Sequence, residues 1–154
     1  MIFLHKLLLL NVIIVYLALL CFLNIRPESL QISFIYVGRN KIEIDAKNSY
    51  AGSIINDAQL QRPASQNVDA PYGSLPISFE ELKKADGDIL FVTTFSINGN
   101  DFLAAKQQEP LWKSLKAVQK KHVYYVDFMS WAASSLLGTD AVIDDLFKYL
   151  VNTP

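Results

Sequence analysis

The hydrophobic and polar positions along the chain change character near residue 25. Residues 1–24, "MIFLHKLLLLNVIIVYLALLCFLN", are nearly unbroken hydrocarbon, with Lys6 the one firm charge and Asn11 the one strongly polar interruption in 7–23. Arg26–Pro27 breaks any helix there. Beyond it, short β-rich runs alternate with helical periods. "LQISFIYV" (30–37) is β-branched and aromatic and predicts a strand. "GRN" (38–40) predicts a turn, and "KIEID" (41–45) a second strand with Ile42 and Ile44 on one face. In "NSYAGSIINDAQL" the period changes. Ala51, Ile54, Ile55 and Ala58 fall at helical spacing behind a cap at Asn48 or Ser49.

Residues 61–76 hold Pro63, Pro71, Gly73 and Pro76 and predict a long irregular connection. Ser78 and Glu81 make a capping box for a short helix over "FEELKKA". "DILFVTT" (88–94) is a continuous apolar run and predicts a strand buried on both faces. Helical material from Asp101 is broken near Pro110, and "HVYYVD" (122–127) predicts a further strand. Thr139 is placed as the cap of a last helix whose Ile143, Leu146, Phe147 and Leu150 form an apolar stripe. Strands alternating with helices predict an α/β fold, a three-layer sandwich with a mostly parallel sheet, preceded by an N-terminal hydrophobic helix. The expected division is 1–24 as a signal or anchor segment, 25–29 as a linker, and 30–154 as one α/β domain large enough for its own core.

The first segment admits three readings. An uncleaved anchor fits its length, since a membrane span needs about 20 apolar residues, and no small-residue cleavage pattern follows. A cleaved or lipidated signal would be atypical, because "LALLC" puts Leu20 where a lipoprotein signal has a small residue. A helix apolar all round can also be buried in a core. Lys6 ahead of the apolar run favours a cytoplasmic start, with the rest of the chain outside.

Composition narrows the function. The formal net charge of -1 gives no electrostatic reason to expect nucleic acid. A single cysteine, Cys21, excludes an intrachain disulfide. The sequence has no nucleophile elbow, P-loop or dinucleotide glycine motif, and no His/Cys spacing for a metal. His122 is read as an exposed strand-start residue, "DGD" (86–88) as a turn, and "DD" (144–145) as a solvated helix face. No enzyme, metal or cofactor is expected.

In open α/β sheets, ligands bind outside the carboxyl ends of the strands. The strand ending at Asp45 is followed by Tyr50, the strand ending at Thr94 by Phe95, and the strand ending at Asp127 by Phe128 and Trp131. If the strands run parallel, these aromatics gather at one rim. On this ground Trp131 stands open between pocket and core, while Phe128 and Met129, fully apolar, are read as core.

Four segments then stand out in order and spacing: "NSYAGSIINDAQLQRP", "ISFEELKKADGDILFVTTF", "EPLWKSLKAVQKKHVYYVDFMSW" and "AVIDDLFKYL". Together they resemble the C-terminal lobe of the periplasmic iron–siderophore (Fe³⁺/cobalamin type) ABC-transporter substrate-binding proteins, over residues 32–150. The resemblance implies one lobe of a two-lobe protein that holds a ferric siderophore between its lobes. It implies Tyr50, Phe95 with Thr94 before it, and Trp131 as ligand-facing residues, with Arg39 as a source of charge. Tyr50 and Phe95 stand where relatives often carry a charge, and aromatic walls suit a more neutral or aryl-rich chelate. In "ISFEEL", Glu80 aligns with the glutamate that docks on the ABC permease of the importer, and Glu81 does the capping. The family's N-terminal lobe and bridging helix have no counterpart in these 154 residues. The expectation is therefore a truncated or split lobe, working with a separate N-terminal lobe and tethered at, or exported to, the extracytoplasmic membrane face. The alternative is a structural lobe that docks on a membrane partner without binding ligand.

Overall fold

The computed structural model describes residues 30–96, 98–132 and 136–151. The hydrophobic segment read over 1–24 and the linker 25–29 lie outside the described residues. Among these, five strands form one mixed sheet: β1 (Ile32–Val37), β2 (Ile42–Asp45), β3 (Ser74–Ile77), β4 (Ile89–Thr94) and β5 (Val123–Tyr125), in the spatial order β3-β2-β1-β4-β5. β1, β4 and β5 pair in parallel, with Ile32 opposite Ile89 and Leu90 opposite Val123. β2 runs antiparallel to both β1 and β3. The helices are α1 (Tyr50–Asp57), α2 (Gly99–Gln107), α3 (Pro110–Lys113), α4 (Lys116–Gln119), α5 (Phe128–Ala132) and α6 (Leu136–Val151), with a 3₁₀ helix at Phe79–Ala85.

Strand alternation decides which side chain goes to which layer. Ile32 and Phe34 of β1, with Ile89 and Phe91 of β4, join a core cluster that includes Ile55 of α1, Trp131 of α5 and Leu146 of α6. Ile35, Val37, Leu90 and Val92 point the other way, into a cluster with Leu82 of the 3₁₀ helix, Leu103 of α2, Trp112 of α3 and Ala117 of α4. Helical layers thus cover both faces of the sheet, and β4 is buried on both sides as its apolar run predicts.

Local chemistry sets the boundaries. Ser49 caps α1, its Oγ accepting from the Gly52 N–H at 2.7 Å. The box at Ser78 forms, with Glu81 Oε2 accepting from the Ser78 N–H at 3.1 Å. Asp127 opens α5 directly after β5, its Oδ2 accepting from the Ser130 N–H at 2.8 Å and hydroxyl at 2.9 Å.

Two expectations are corrected. The stretch read as irregular ends in β3, and Pro76 is tolerated there because β3 is an edge strand. Thr139 lies inside α6 and does not cap it; its Oγ1 sits 2.8 Å from Tyr50 Oη.

The antiparallel β2 matters for the site. Ile44 pairs with Ile35, so β2 ends beside the middle of β1, away from the exit rim. The chain later returns to fill the space next to β1. The Ile32 N–H donates to Gln61 O at 2.8 Å, and the Phe34 N–H to Gln66 Oε1 at 3.1 Å.

Candidate functional site

A cavity of about 530 Å³ opens where β1 and β4 end and β2 begins. The sheet contributes Tyr36, Glu43 and Ser74 to its lining. The turn into α1 adds Asn48, Ser49 and Tyr50, and the loop ahead of β3 adds Pro71, Tyr72 and Gly73. Phe95, immediately after β4, and Phe128 of α5 complete the aromatic part, their ring centroids 5.9 Å apart. Two glycines allow this approach. A Cβ on Gly38 would lie 2.5 Å from Phe95 Cζ, so only glycine lets that ring rest on the β1–β2 turn. Gly73 has φ +71° against Ser49, a left-handed conformation that glycine adopts cheaply.

Below the aromatics lies a buried polar network. The Tyr36 hydroxyl donates to Asp45 Oδ1 at 2.7 Å. Arg62 Nη2 donates to Asp45 Oδ2 at 2.7 Å, and Nη1 to Ala46 O at 3.0 Å. Gln66 Oε1 accepts from Arg62 Nη2 at 3.2 Å, while its Nε2 donates to Ser33 Oγ at 2.7 Å. Both charges of the Asp45–Arg62 pair are buried, and buried charges persist when each is paired and hydrogen-bonded. Burial, then the Asp45 carboxylate, pushes the Tyr36 hydroxyl far above its ordinary range. Burial also pushes the Asp45 carboxyl up, opposed by Arg62 and by the Tyr36 and Ser49 hydroxyls. Tyr36 therefore keeps its proton.

Glu43 is the cavity's own carboxylate. Its Oε1 pairs with Lys41 Nζ at 2.5 Å, and its Oε2 accepts from the Ser74 hydroxyl at 2.7 Å. Burial works to raise it, but these two donors outweigh that and hold it below the usual carboxylate range. The same Lys41 ammonium stands 5.1 Å from the Phe95 ring centroid, a cation–π distance.

The residues picked from the sequence divide. Tyr50 and Phe95 meet in the cavity, although the path to Tyr50 runs through an antiparallel strand and not a parallel exit. Trp131 does not join them: it is 0% exposed. Its ring packs between Phe34 and Phe91, at centroid distances of 4.9 and 4.6 Å, and its Nε1–H donates to Asp145 Oδ2 at 2.8 Å. The expectation that Trp131 faces a ligand is corrected, because α5 turns its first residue to the cavity and its fourth to the core. Phe128, read as core, is the cavity residue, and Met129, also read as core, is 66% exposed. Asp145, read as solvated, holds the indole.

Thr94 and Arg39 are likewise engaged elsewhere. The Thr94 hydroxyl donates to Asn100 Oδ1 at 2.9 Å. With the Asn98 amide oxygen turned toward it, Arg39 donates to that oxygen from Nε and Nη2, each at 2.9 Å. Neither lines the cavity. Glu80 is fully exposed on the first turn of the 3₁₀ helix, where its own backbone N–H and the Ser78 hydroxyl hold its carboxyl below the usual range. His122 is half-buried at the start of β5.

The residues missed were Tyr36, Glu43, Ser74 and Tyr72. The alternation of "KIEID" did carry one signal. With Ile42 and Ile44 facing the core, Glu43 and Asp45 share the opposite face. A second cavity of about 230 Å³ lies between α1 and α6 and is lined mainly by apolar residues such as Ile54, Leu60, Ile143 and Phe147. Among the described residues no group of three or more His, Cys, Asp or Glu is placed to hold a metal, and no helix is long and apolar enough to cross a membrane.

Comparison with known proteins agrees with this architecture. Residues 32–129 match the family described as periplasmic binding protein. The putative ABC transporter substrate-binding lipoprotein YhfQ of Bacillus subtilis is 35% identical over 94 residues, covering 54% of this chain and 28% of that protein. The Fe(3+)-citrate-binding protein YfmC of the same organism is 32% identical over 114 residues, covering 73% of this chain and 34% of that protein. The chain thus spans about a third of the length of these curated relatives. Among solved structures, a FhuD fold-family periplasmic binding protein component of a Fep/Fec-like ferrichrome ABC transporter from Bacillus subtilis superposes with a TM-score of 0.69. It is 22% identical, and the superposition covers 83% of this chain and 49% of that one. The resemblance drawn from four sequence segments and the α/β reading both hold, and this chain belongs to the periplasmic binding protein family.

Proposed function

We propose that this chain is the C-terminal lobe of an iron–siderophore binding protein, contributing one wall of a site that captures a ferric chelate for an ABC importer. The observation that carries the reading is the cavity lined by Tyr36, Tyr50, Tyr72, Phe95 and Phe128 where β1 and β4 end, inside the region that matches the family. Aromatic faces bind flat chelate groups by stacking, and strand exits are where open α/β sheets take ligands. The names of relatives point the same way, one being an Fe(3+)-citrate-binding protein. The lobe acts by binding, without catalysis or a resident cofactor. A separate N-terminal lobe supplies the facing wall, because closed sites of this kind bury most of their ligand. Residues 1–24 place the lobe at the extracytoplasmic membrane face, and exposed Glu80 docks on the permease.

Equilibrium dialysis of the full chain in detergent against radioiron-labelled siderophores tests the reading, with the chain alone and mixed with the N-terminal lobe of a relative. Retention that is lost in Phe95→Ala supports it. No retention of any ferric chelate in either mixture contradicts it and favours a lobe that only docks.

A further inference from the structure

The cavity has more to say about its ligand than that it is aromatic, because its sheet-borne hydroxyl protons are already committed and its lining carries no cation. The Tyr36 hydroxyl gives its proton to Asp45, and the Ser74 hydroxyl gives its proton to Glu43. Asn48 is paired with Ala70 in both directions, Nδ2 donating to Ala70 O and Oδ1 accepting from the Ala70 N–H, each at 2.9 Å. Tyr36, Ser74 and Glu43 are thus left with lone pairs to offer, while the exposed Tyr72 hydroxyl and the second Asn48 Nδ2–H remain as donors. Charge follows the same pattern. Among the described lining residues Glu43 is the one that carries a charge, and none is a lysine or arginine. Lys41, at the edge beside Phe95, is matched by Glu43. Arg62 beneath is matched by Asp45, and Arg39 is held by Asn98. An oxyanion entering this space finds no cation in the described lining, and at Tyr36, Ser74 and Glu43 it meets acceptors, which costs affinity because a buried acceptor without a donor is expensive.

We infer that the cavity selects a ferric chelate of neutral or positive net charge whose periphery donates hydrogen bonds, as an iron trihydroxamate does, over carboxylate and catecholate chelates of net negative charge. The inference rests on the ferric-siderophore reading above. Stacking on Phe95, Phe128 and Tyr72 supplies the apolar share of the contact. Amide N–H groups or an ammonium on the chelate complete the lone pairs of Tyr36, Glu43 and Ser74. The Lys41–Glu43 pair then sets the balance of charge: loosening it in either direction retunes the preference.

The test is equilibrium dialysis of the full chain, alone and mixed with the N-terminal lobe of a relative, against four radioiron complexes: a neutral trihydroxamate, a trihydroxamate bearing a free ammonium, ferric citrate, and a trianionic tris-catecholate. The hydroxamates are expected to bind about tenfold or more tightly than the anions. Lys41→Gln, a change at an exposed side chain that leaves the fold intact, widens the gap between the ammonium-bearing complex and the trianion, and Glu43→Gln narrows it. Equal or tighter binding of the anions overturns the inference while leaving the siderophore reading in place, as does a gap unchanged in both variants. Failure of all four complexes to bind both with the chain alone and with the N-terminal lobe supplied defeats the siderophore reading itself, and the inference with it.

Discussion

Two aromatic groups in this chain, each built on a pair of phenylalanines, have opposite fates. Phe34, Phe91 and Trp131 form the centre of one core cluster. Phe95, Phe128 and Tyr72 line an open cavity, and Tyr72 is 94% exposed. The contrast is sharpest within α5, where Phe128 and Trp131 are separated by less than one helical turn. Position relative to the end of a strand separates the phenylalanines of the two groups. Phe34 and Phe91 lie inside β1 and β4, paired with each other across the parallel ladder. Phe95 lies one residue past β4, and Phe128 sits at the first turn after β5. An aromatic inside a strand has neighbours on its own sheet and a helix above it; one just past the exit has only what the loops bring.

The comparison breaks first at Trp131. Trp131→Ala removes the ring between Phe34 and Phe91, strands Asp145 without its donor, and is expected to cost about 3–5 kcal/mol of stability, read as a large fall in the chemical-denaturation midpoint. Trp131→Ala with wild-type stability would mean that the ring is not core. Next comes the support under the cavity. Arg62→Met leaves the Asp45 carboxylate buried and uncompensated, an arrangement that costs about 3 kcal/mol or somewhat more. The double variant with Asp45→Leu is expected to recover most of that loss in the same unfolding experiment, since the penalty belongs to the orphaned charge. The smallest effect on stability is expected at the rim. Phe95→Ala should change stability by no more than about 1 kcal/mol, yet remove most chelate retention. A Phe95 variant that unfolds as readily as the Trp131 variant would erase the distinction between the two groups.

Much of this was legible in the sequence, and the failures have identifiable causes. β1 and β4 declare themselves through β-branched and aromatic runs, and the caps at Ser49 and Ser78 through residue type and spacing. Strand β3 was hidden because Pro76 reads as a breaker until the strand is known to lie at an edge. Tyr50 and Phe95 were found by the strand-exit rule, although β2 runs against its neighbour and so breaks the premise for Tyr50. Trp131 was misplaced for a physical reason. In "DFMSW" the aromatics are three residues apart, which puts them near one another on a helix but does not say which meets the sheet. Docking of α5 against α6 settles that, through the indole N–H to Asp145. Tyr36 and the Asp45–Arg62 pair depend on a contact between residues 17 apart in sequence, which no local pattern announces.

On the proposed function, a ferric chelate meets the aromatic rim and leaves the tryptophan core untouched. The direct measurement is a titration of the full chain in micelles with a diamagnetic gallium(III) trihydroxamate, followed through backbone amide and indole N–H resonances. Progressive shifts are expected at Gly73, Phe95 and Phe128, while the Trp131 indole resonance stays in place. Shifts confined to Ile54, Ile143 and Phe147 between α1 and α6, or movement of the Trp131 indole with no change at Phe95, would contradict it.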